Sequence, residues 1–103
     1  MRGMVIYKYP LEFHLDPQTV QMSPGARILS VQVQRETIVL WAEIPAHAGR
    51  TYVEREFIVR PTGRPFAVFG ESERSDRYIG TFQYGPDGEF VGHLYELLSA
   101  SKE

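Results

Sequence analysis

The feature that most constrains this fold is an alternation of apolar and polar residues on both sides of residues 35–36. One face of the extended chain is apolar throughout, at Leu29, Val31, Val33, Ile38, Leu40, Ala42 and Ile44. A two-residue turn at 35–36 puts Val31 opposite Leu40. The same register puts Leu29 opposite Ala42. The segment therefore predicts a β-hairpin with one continuous apolar face.

Shorter alternating segments predict further strands before and after this hairpin. They are residues 4–9, 11–15, 19–22, 51–60, 77–84 and 89–96. The sequence Gly-Pro-Asp-Gly at 85–88 has turn chemistry and joins the last two strands into a second hairpin. Residues 93–98 also fit a helical period, but a strand to about residue 96 is favoured. We predict a single all-β, mainly antiparallel domain, a small sandwich or barrel of about seven strands with little helix, in which 97–103 form a frayed tail.

Composition excludes several classes of protein. The 103 residues carry a net charge of -2, which argues against binding of nucleic acid polymers. No apolar run approaches the roughly 18 residues that cross a membrane. The chain has no cysteine, which rules out disulfides and cysteine metal sites and fits an intracellular protein. Nine of the eleven Lys and Arg residues are Arg, whose planar fork suits phosphates and carboxylates.

No catalytic motif stands out. His14, His47 and His93 are scattered without metal-ligand spacing. Glu54 and Glu56 share one strand face, which is more typical of a solvated edge than of a catalytic pair. We therefore predict no catalytic residue, no metal and no cofactor. A small hydrolase or lyase acting on nucleotides stays open as a third alternative, because the sequence does not show which residues meet in space.

Arginines and aromatic residues near predicted loops form the best candidate ligand site. A nucleotide needs a flat ring on which its base stacks and cationic forks for its phosphates. Glutamine side chains could read a base edge or a ribose. The predicted site comprises Arg60, Arg64 and Arg77 for phosphates, Trp41 or Tyr78 for stacking, and Gln32 and Gln34 for polar contacts. For Trp41 the alternatives are packing beneath another layer of the fold and a role as an anchor for a ligand or partner.

Five segments carry a resemblance to a known family. They are IYKYPL at 6–11, GARILSVQVQ at 25–34, LWAEI at 40–44, YIGTFQ at 78–83 and HLYE at 93–96. Together they resemble a family of small proteins of unknown function encoded by tailed phages and prophages. The segment at 60–65 is similar to a Gly-Thr-Gly-x-Pro segment of that family but has Pro61 at the first Gly. The resemblance implies a phage protein in the cytoplasm of a bacterial host and supplies no catalytic residues.

Two functions follow as expectations. The first is a non-enzymatic binding protein that counteracts host defence by sequestering a small, anionic, nucleotide-like signalling molecule. The alternative is a protein–protein interaction module, either an inhibitor of a host enzyme or a virion accessory protein. Exposed strand edges and a half-apolar second sheet face also lead us to expect a homo-oligomer.

Overall fold

Seven β-strands and no helix are formed by the described residues of the computed structural model, which are 3–47, 49–68 and 75–98. The strands are β1 (Met4–Leu11), β2 (Gln18–Met22), β3 (Arg27–Gln34), β4 (Thr37–Pro45), β5 (Val53–Pro61), β6 (Asp76–Tyr84) and β7 (Phe90–Leu97). Every pair of neighbouring strands is antiparallel. The prediction of a mainly antiparallel all-β fold is confirmed.

The strands form two sheets that pack face to face. One sheet has the order β1-β4-β3 and the other has the order β2-β5-β7-β6. The core between them is built from Leu11, Met22, Ala26, Val31, Ile38, Leu40, Ala42, Ile44, Phe57, Val59, Phe82 and Leu94. Burial of one apolar face per sheet is what holds such a sandwich together. Of the two predicted architectures, the structure is therefore the sandwich.

The first hairpin keeps the predicted register over most of its length. Val31 lies opposite Leu40, and the turn at 35–36 has both φ angles positive, as in the type I′ turns of tight hairpins. The predicted pairing of Leu29 with Ala42 is wrong, because the register shifts between residues 28 and 30 and Ile28 takes that place. Leu29 is consequently 38% exposed. A bulge of this kind re-aims a side chain without ending the strand.

The predicted strand at 11–15 is also wrong, since β1 ends at Leu11 and residues 12–17 form no strand. Instead, the side chain of Gln18 forms hydrogen bonds with the backbone of Glu12. Its Oε1 accepts from the Glu12 amide at 2.8 Å, and its Nε2 donates to the Glu12 carbonyl at 3.0 Å. Phe13 stacks on Tyr84 with ring centroids 4.2 Å apart. Phe13 thus covers the end of the second hairpin instead of joining a sheet.

The second hairpin forms across residues 85–88 as predicted, and its last strand remains a strand through Leu97. The amide of Leu98 donates to the carbonyl of Ser75 at 2.8 Å. Residues 99–103, the rest of the predicted tail, lie outside the described part of the chain.

The two sheets approach each other most closely where β3 packs against β6. A Cβ atom at Gly80 of β6 would lie 2.9 Å from Cγ1 of Val31, which is closer than real Cβ atoms come to other heavy atoms. Glycine therefore allows the close packing at this side of the sandwich, which we call the seam. At the opposite side, a cleft opens between β1 and the region around β2.

Candidate functional site

Three of the seven predicted site residues lie together on the outer face of the three-stranded sheet. The indole Nε1 of Trp41 donates to Oε1 of Gln32 at 3.0 Å. The ammonium group of Lys8 lies 6.0 Å from the Trp41 ring centroid and donates to Gln34. Trp41 is half-buried beneath these long side chains. The Oε1 atoms of both glutamines are thus already engaged, that of Gln32 by Trp41 and that of Gln34 by Lys8.

Arg60 lies on the outer face of the other sheet and is held by its neighbours. Its Nη1 atom is 2.6 Å from Oδ2 of Asp76, and both side chains are largely buried. The guanidinium carbon is 3.9 Å from the ring centroid of Phe66 and 4.6 Å from that of Tyr95. A phosphate would have to compete with Asp76 for this cation. Arg64, in the turn after β5, shares an open groove with Arg60 and Asp16.

The seven predicted residues therefore do not form one site. The Trp41 group and Arg60 are on opposite outer faces of the sandwich, because each points away from the core on its own sheet. Arg77 and Tyr78 differ from the rest, because they line a groove of about 420 Å³ at one end of the seam. The rest of its wall is formed by Gly25, Ala26, Arg27, Ile28, Leu29, Arg55 and Ile79. We call this the seam groove.

Two bulges shape the seam groove. The register shift between Ile28 and Ser30 turns Leu29 outward on β3. A second shift between Tyr78 and Gly80 interrupts β6 at the same end of the sandwich. Bulges are common beside binding sites because they re-aim side chains that regular alternation would send elsewhere. Here they place apolar side chains of both strands beside arginines.

Arg55 forms the inner wall of the groove and is firmly held. Its Nε is 2.7 Å from Oε2 of Glu96, its Nη2 is 2.9 Å from Oε1, and its Nη1 donates to the carbonyl of Ala26 at 2.6 Å. Hydrogen bonding to Glu96 raises the pKa of Arg55 above its ordinary value, against the opposing effect of burial. The pair joins the four-stranded sheet to the start of β3. The sequence pattern does put Arg55 on the apolar face of β5, but it does not reveal this partner.

The other two arginines of the groove are available to solvent. Arg27 is 74% exposed in its side chain and touches Glu43 at 3.4 Å. Arg77 is exposed and forms no ion pair within the described residues. The described wall of the groove contains no carboxylate. Arg77 is thus the one arginine of the groove without a carboxylate partner among the described residues, and the exposed Tyr78 lines the same groove.

His93 is the centre of a hydrogen-bonded chain on the outer face of the four-stranded sheet. Its Nε2 lies 2.7 Å from Oγ1 of Thr62 and its Nδ1 lies 2.9 Å from Oγ1 of Thr81. The hydroxyl of Thr81 is also bonded to that of Tyr78. In the described part of the chain, no carboxylate orients this imidazole, and no group of three His, Cys, Asp or Glu side chains could hold a metal.

The comparisons with known proteins place the chain in a family. A family model described as a domain of unknown function (DUF7352) matches residues 3–103, and the chain belongs to that family. No curated protein and no solved structure matches the chain. Over the described residues there is no helix long and apolar enough to cross a membrane. The resemblance to a family of unknown function is thus confirmed at that level.

Proposed function

We propose that this member of a family of unknown function is a non-enzymatic binding protein whose ligand site is the seam groove. The ligand is a small anion with a flat ring, of which a nucleotide is the best example. One observation carries the proposal: Arg77, which has no ion-pair partner among the described residues, and the exposed Tyr78 line the same groove.

The groove offers both kinds of contact that such a ligand needs. The guanidinium groups of Arg27 and Arg77 can each bond two phosphate oxygens at once. Stacking of a base on an aromatic ring contributes about 1–3 kcal/mol. The ring of Tyr78 is held in place by its hydroxyl bond to Thr81 and by an edge contact with Tyr95, with centroids 5.5 Å apart, and the residue remains 53% exposed. The ring therefore loses little freedom when it binds.

The biological role that we propose is sequestration of a nucleotide-like host signal by a phage-encoded protein in the host cytoplasm. The support is the resemblance of five segments to a phage and prophage family, together with the charge of the groove. Because the groove is open to solvent, tight capture requires a cover. A second copy of the chain is the cover that we propose, which is why we expect a homo-oligomer.

The test is calorimetric titration of the purified protein with a panel of mono-, di- and cyclic nucleotides, alongside native mass spectrometry. Arg77→Met should weaken binding at least tenfold, because loss of a charge-assisted hydrogen bond is worth about 1.5–3 kcal/mol. Tyr78→Leu should also weaken it by at least fivefold. Arg64→Met and Tyr52→Leu are matched controls outside the groove. No binding by any nucleotide, or equal losses in the controls, would reject the proposal.

A protein–protein interaction module is the second candidate, favoured by β1, which is an edge strand among the described residues. Met4 and Ile6 are 48% and 55% exposed on this edge strand. An exposed apolar edge is a template for pairing with another chain. Ile6→Lys should abolish such a complex, and size-exclusion chromatography with light scattering measures it. The seam groove variants should leave that complex intact, so the two candidates are distinguishable.

A further inference from the structure

The open side of the sandwich contains a second cleft, distant from the seam and different in chemistry. Its volume is about 320 Å³, at the small end of the range for ligand pockets. Its wall includes Tyr7 and Tyr9 of β1 and Tyr52, together with apolar and uncharged polar residues of the neighbouring segments. Among the described residues, the wall contains three tyrosines and no charged residue. We call it the tyrosine cleft.

The three rings come together because of the strand geometry. Tyr7 and Tyr9 are two residues apart on β1, so they lie on the same face with their Cα atoms about 7 Å apart. That face is the inner one, since Tyr7 is opposite the buried Ala42. Tyr7 is nevertheless 52% exposed, because the other sheet does not cover it. Tyr52, just before β5, supplies the third ring and is 59% exposed.

Within the described residues, no cation and no other aromatic ring lies against the faces of these three rings, although Tyr9 packs in part against the core. None of the three forms a ring–ring contact with another aromatic side chain. No Lys or Arg lies over any of them, although cations do lie over Trp41, Phe66 and Tyr95. Burial, and secondarily the nearby phenols of Tyr7 and Tyr52, raise the pKa of Tyr9, which fits three phenol groups facing a common space. Neutral phenols present the negative face of their rings to that space.

We propose that the tyrosine cleft is an aromatic cage for a quaternary ammonium group. Cations are attracted to ring faces within about 6 Å of the centroid, and rings about 7 Å apart along β1 can both lie within that distance of one cation. A methylated ammonium group suits the cleft better than a bare one. Its methyl groups can contact the apolar part of the wall. A bare ammonium group would lose bound water, and the described residues of the wall include no carboxylate to take the place of that water. The group is carried either by a free molecule such as choline or by a trimethylated lysine side chain.

The test is a titration of the intact protein with choline, followed by NMR of the tyrosine ring signals. The control ligand is 3,3-dimethylbutan-1-ol, which has the same shape without the charge. Choline should bind and shift the signals of Tyr7, Tyr9 and Tyr52, whereas the neutral alcohol should bind at least tenfold more weakly. Equal binding of the two ligands would overturn the proposal, since shape alone would then explain it.

Ring variants test the same site without disturbing the core. Tyr52→Leu should weaken choline binding about two- to fivefold, the change expected for one exposed cation–π contact. Tyr52→Phe should retain binding, because the ring face is kept. Tyr78→Leu, on the other side of the sandwich, is the matched control. Loss of binding in Tyr52→Phe, or none in Tyr52→Leu, would contradict the cage.

A further titration separates the two sources of the ammonium group. A short peptide with one trimethyl-lysine is compared with the unmethylated peptide and with choline. Tighter binding of the methylated peptide than of choline indicates a protein side chain as the ligand, and tighter binding of choline indicates a free molecule. Equal binding of the methylated and unmethylated peptides would overturn the requirement for a quaternary group.

Discussion

Arg55 and Glu96 form a two-pronged ion pair inside the sandwich, with Nε 2.7 Å from Oε2 and Nη2 2.9 Å from Oε1. The Glu96 side chain is 5% exposed and that of Arg55 is 18% exposed. The third contact of the guanidinium, to the Ala26 carbonyl, crosses to the other sheet. The pair therefore fixes how the two sheets are placed at the end that carries the seam groove.

Removal of one partner should be far more destabilising than removal of both. We expect Glu96→Leu to lower the free energy of unfolding by about 3–5 kcal/mol, because it leaves the Arg55 cation buried and uncompensated. The double variant Arg55→Met/Glu96→Leu should recover most of that loss. Urea unfolding followed by circular dichroism measures both. Arg27→Met, which breaks an exposed pair, should change little. A double variant as unstable as the single one would contradict this account.

Gly80 should not tolerate a side chain. The Cβ of Gly80→Ala would meet Cγ1 of Val31 at 2.9 Å, and overpacking of this kind costs about 1–3 kcal/mol. Gly49→Ala is the matched control, because nothing lies within 4 Å of its Cβ position. Thermal unfolding measures both variants. In the Gly80→Ala background, Val31→Ala should be less destabilising than it is in the natural sequence. If the effects of the two substitutions simply add, the contact with Val31 is not the source of the strain.

The hydrogen-bonded chain through His93 determines which ring nitrogen carries the proton. The hydroxyl of Thr62 donates to the Val91 carbonyl at 3.3 Å, so it must accept from Nε2 of a neutral His93. Thr81 then donates to Nδ1 and accepts from Tyr78. We expect the Nε2–H tautomer in long-range ¹H–¹⁵N spectra at pH 8. Observation of the Nδ1–H tautomer would mean that the hydrogen bonds through His93 run in the opposite direction.

Stability should fall at high pH because of Tyr9. Burial raises the pKa of this phenol above its ordinary value of about 10. The folded protein therefore keeps a proton that the unfolded chain releases, and stability decreases as the pH rises from about 10 towards the folded pKa. Urea midpoints between pH 8 and 11 measure the effect. Tyr9→Phe should show a shallower decline of the urea midpoint with pH, and Tyr78→Phe serves as the control. Parallel curves for the natural protein and both variants would contradict the role of Tyr9.

The fold was predictable where the pattern is local. The hairpin around 35–36 follows from period-two alternation and a two-residue turn, since both depend on neighbours in the sequence. The bulge at Leu29 was not predictable, because a one-residue shift depends on how β3 packs against β6. The segment at 11–15 alternates like a strand, yet Gln18 and Tyr84 compete successfully for its backbone and for Phe13.

The candidate site was predictable only in part. Arg77 and Tyr78 were chosen for their chemistry and do line the same groove, but Arg27 was missed because it lies on β3, in the other sheet and 50 residues earlier than Arg77. Arg60 has suitable chemistry for a phosphate, and only the structure shows that its guanidinium group is already paired with Asp76. The tyrosine cleft was missed because two of its rings lie on β1 and the third lies more than 40 residues later.

The seam has a consequence for motion. Within the described residues, the two sheets are joined by close packing and by the Arg55–Ala26 bond at the side of β3 and β6, while β1 and β2 flank an opening. Local opening of a protein begins where buried contacts are fewest. We therefore expect the two sheets to separate transiently at the tyrosine cleft, by rotation about an axis along the seam. The seam groove lies close to that axis and keeps its shape, whereas the tyrosine cleft lies at the rim, where a small rotation changes its width most.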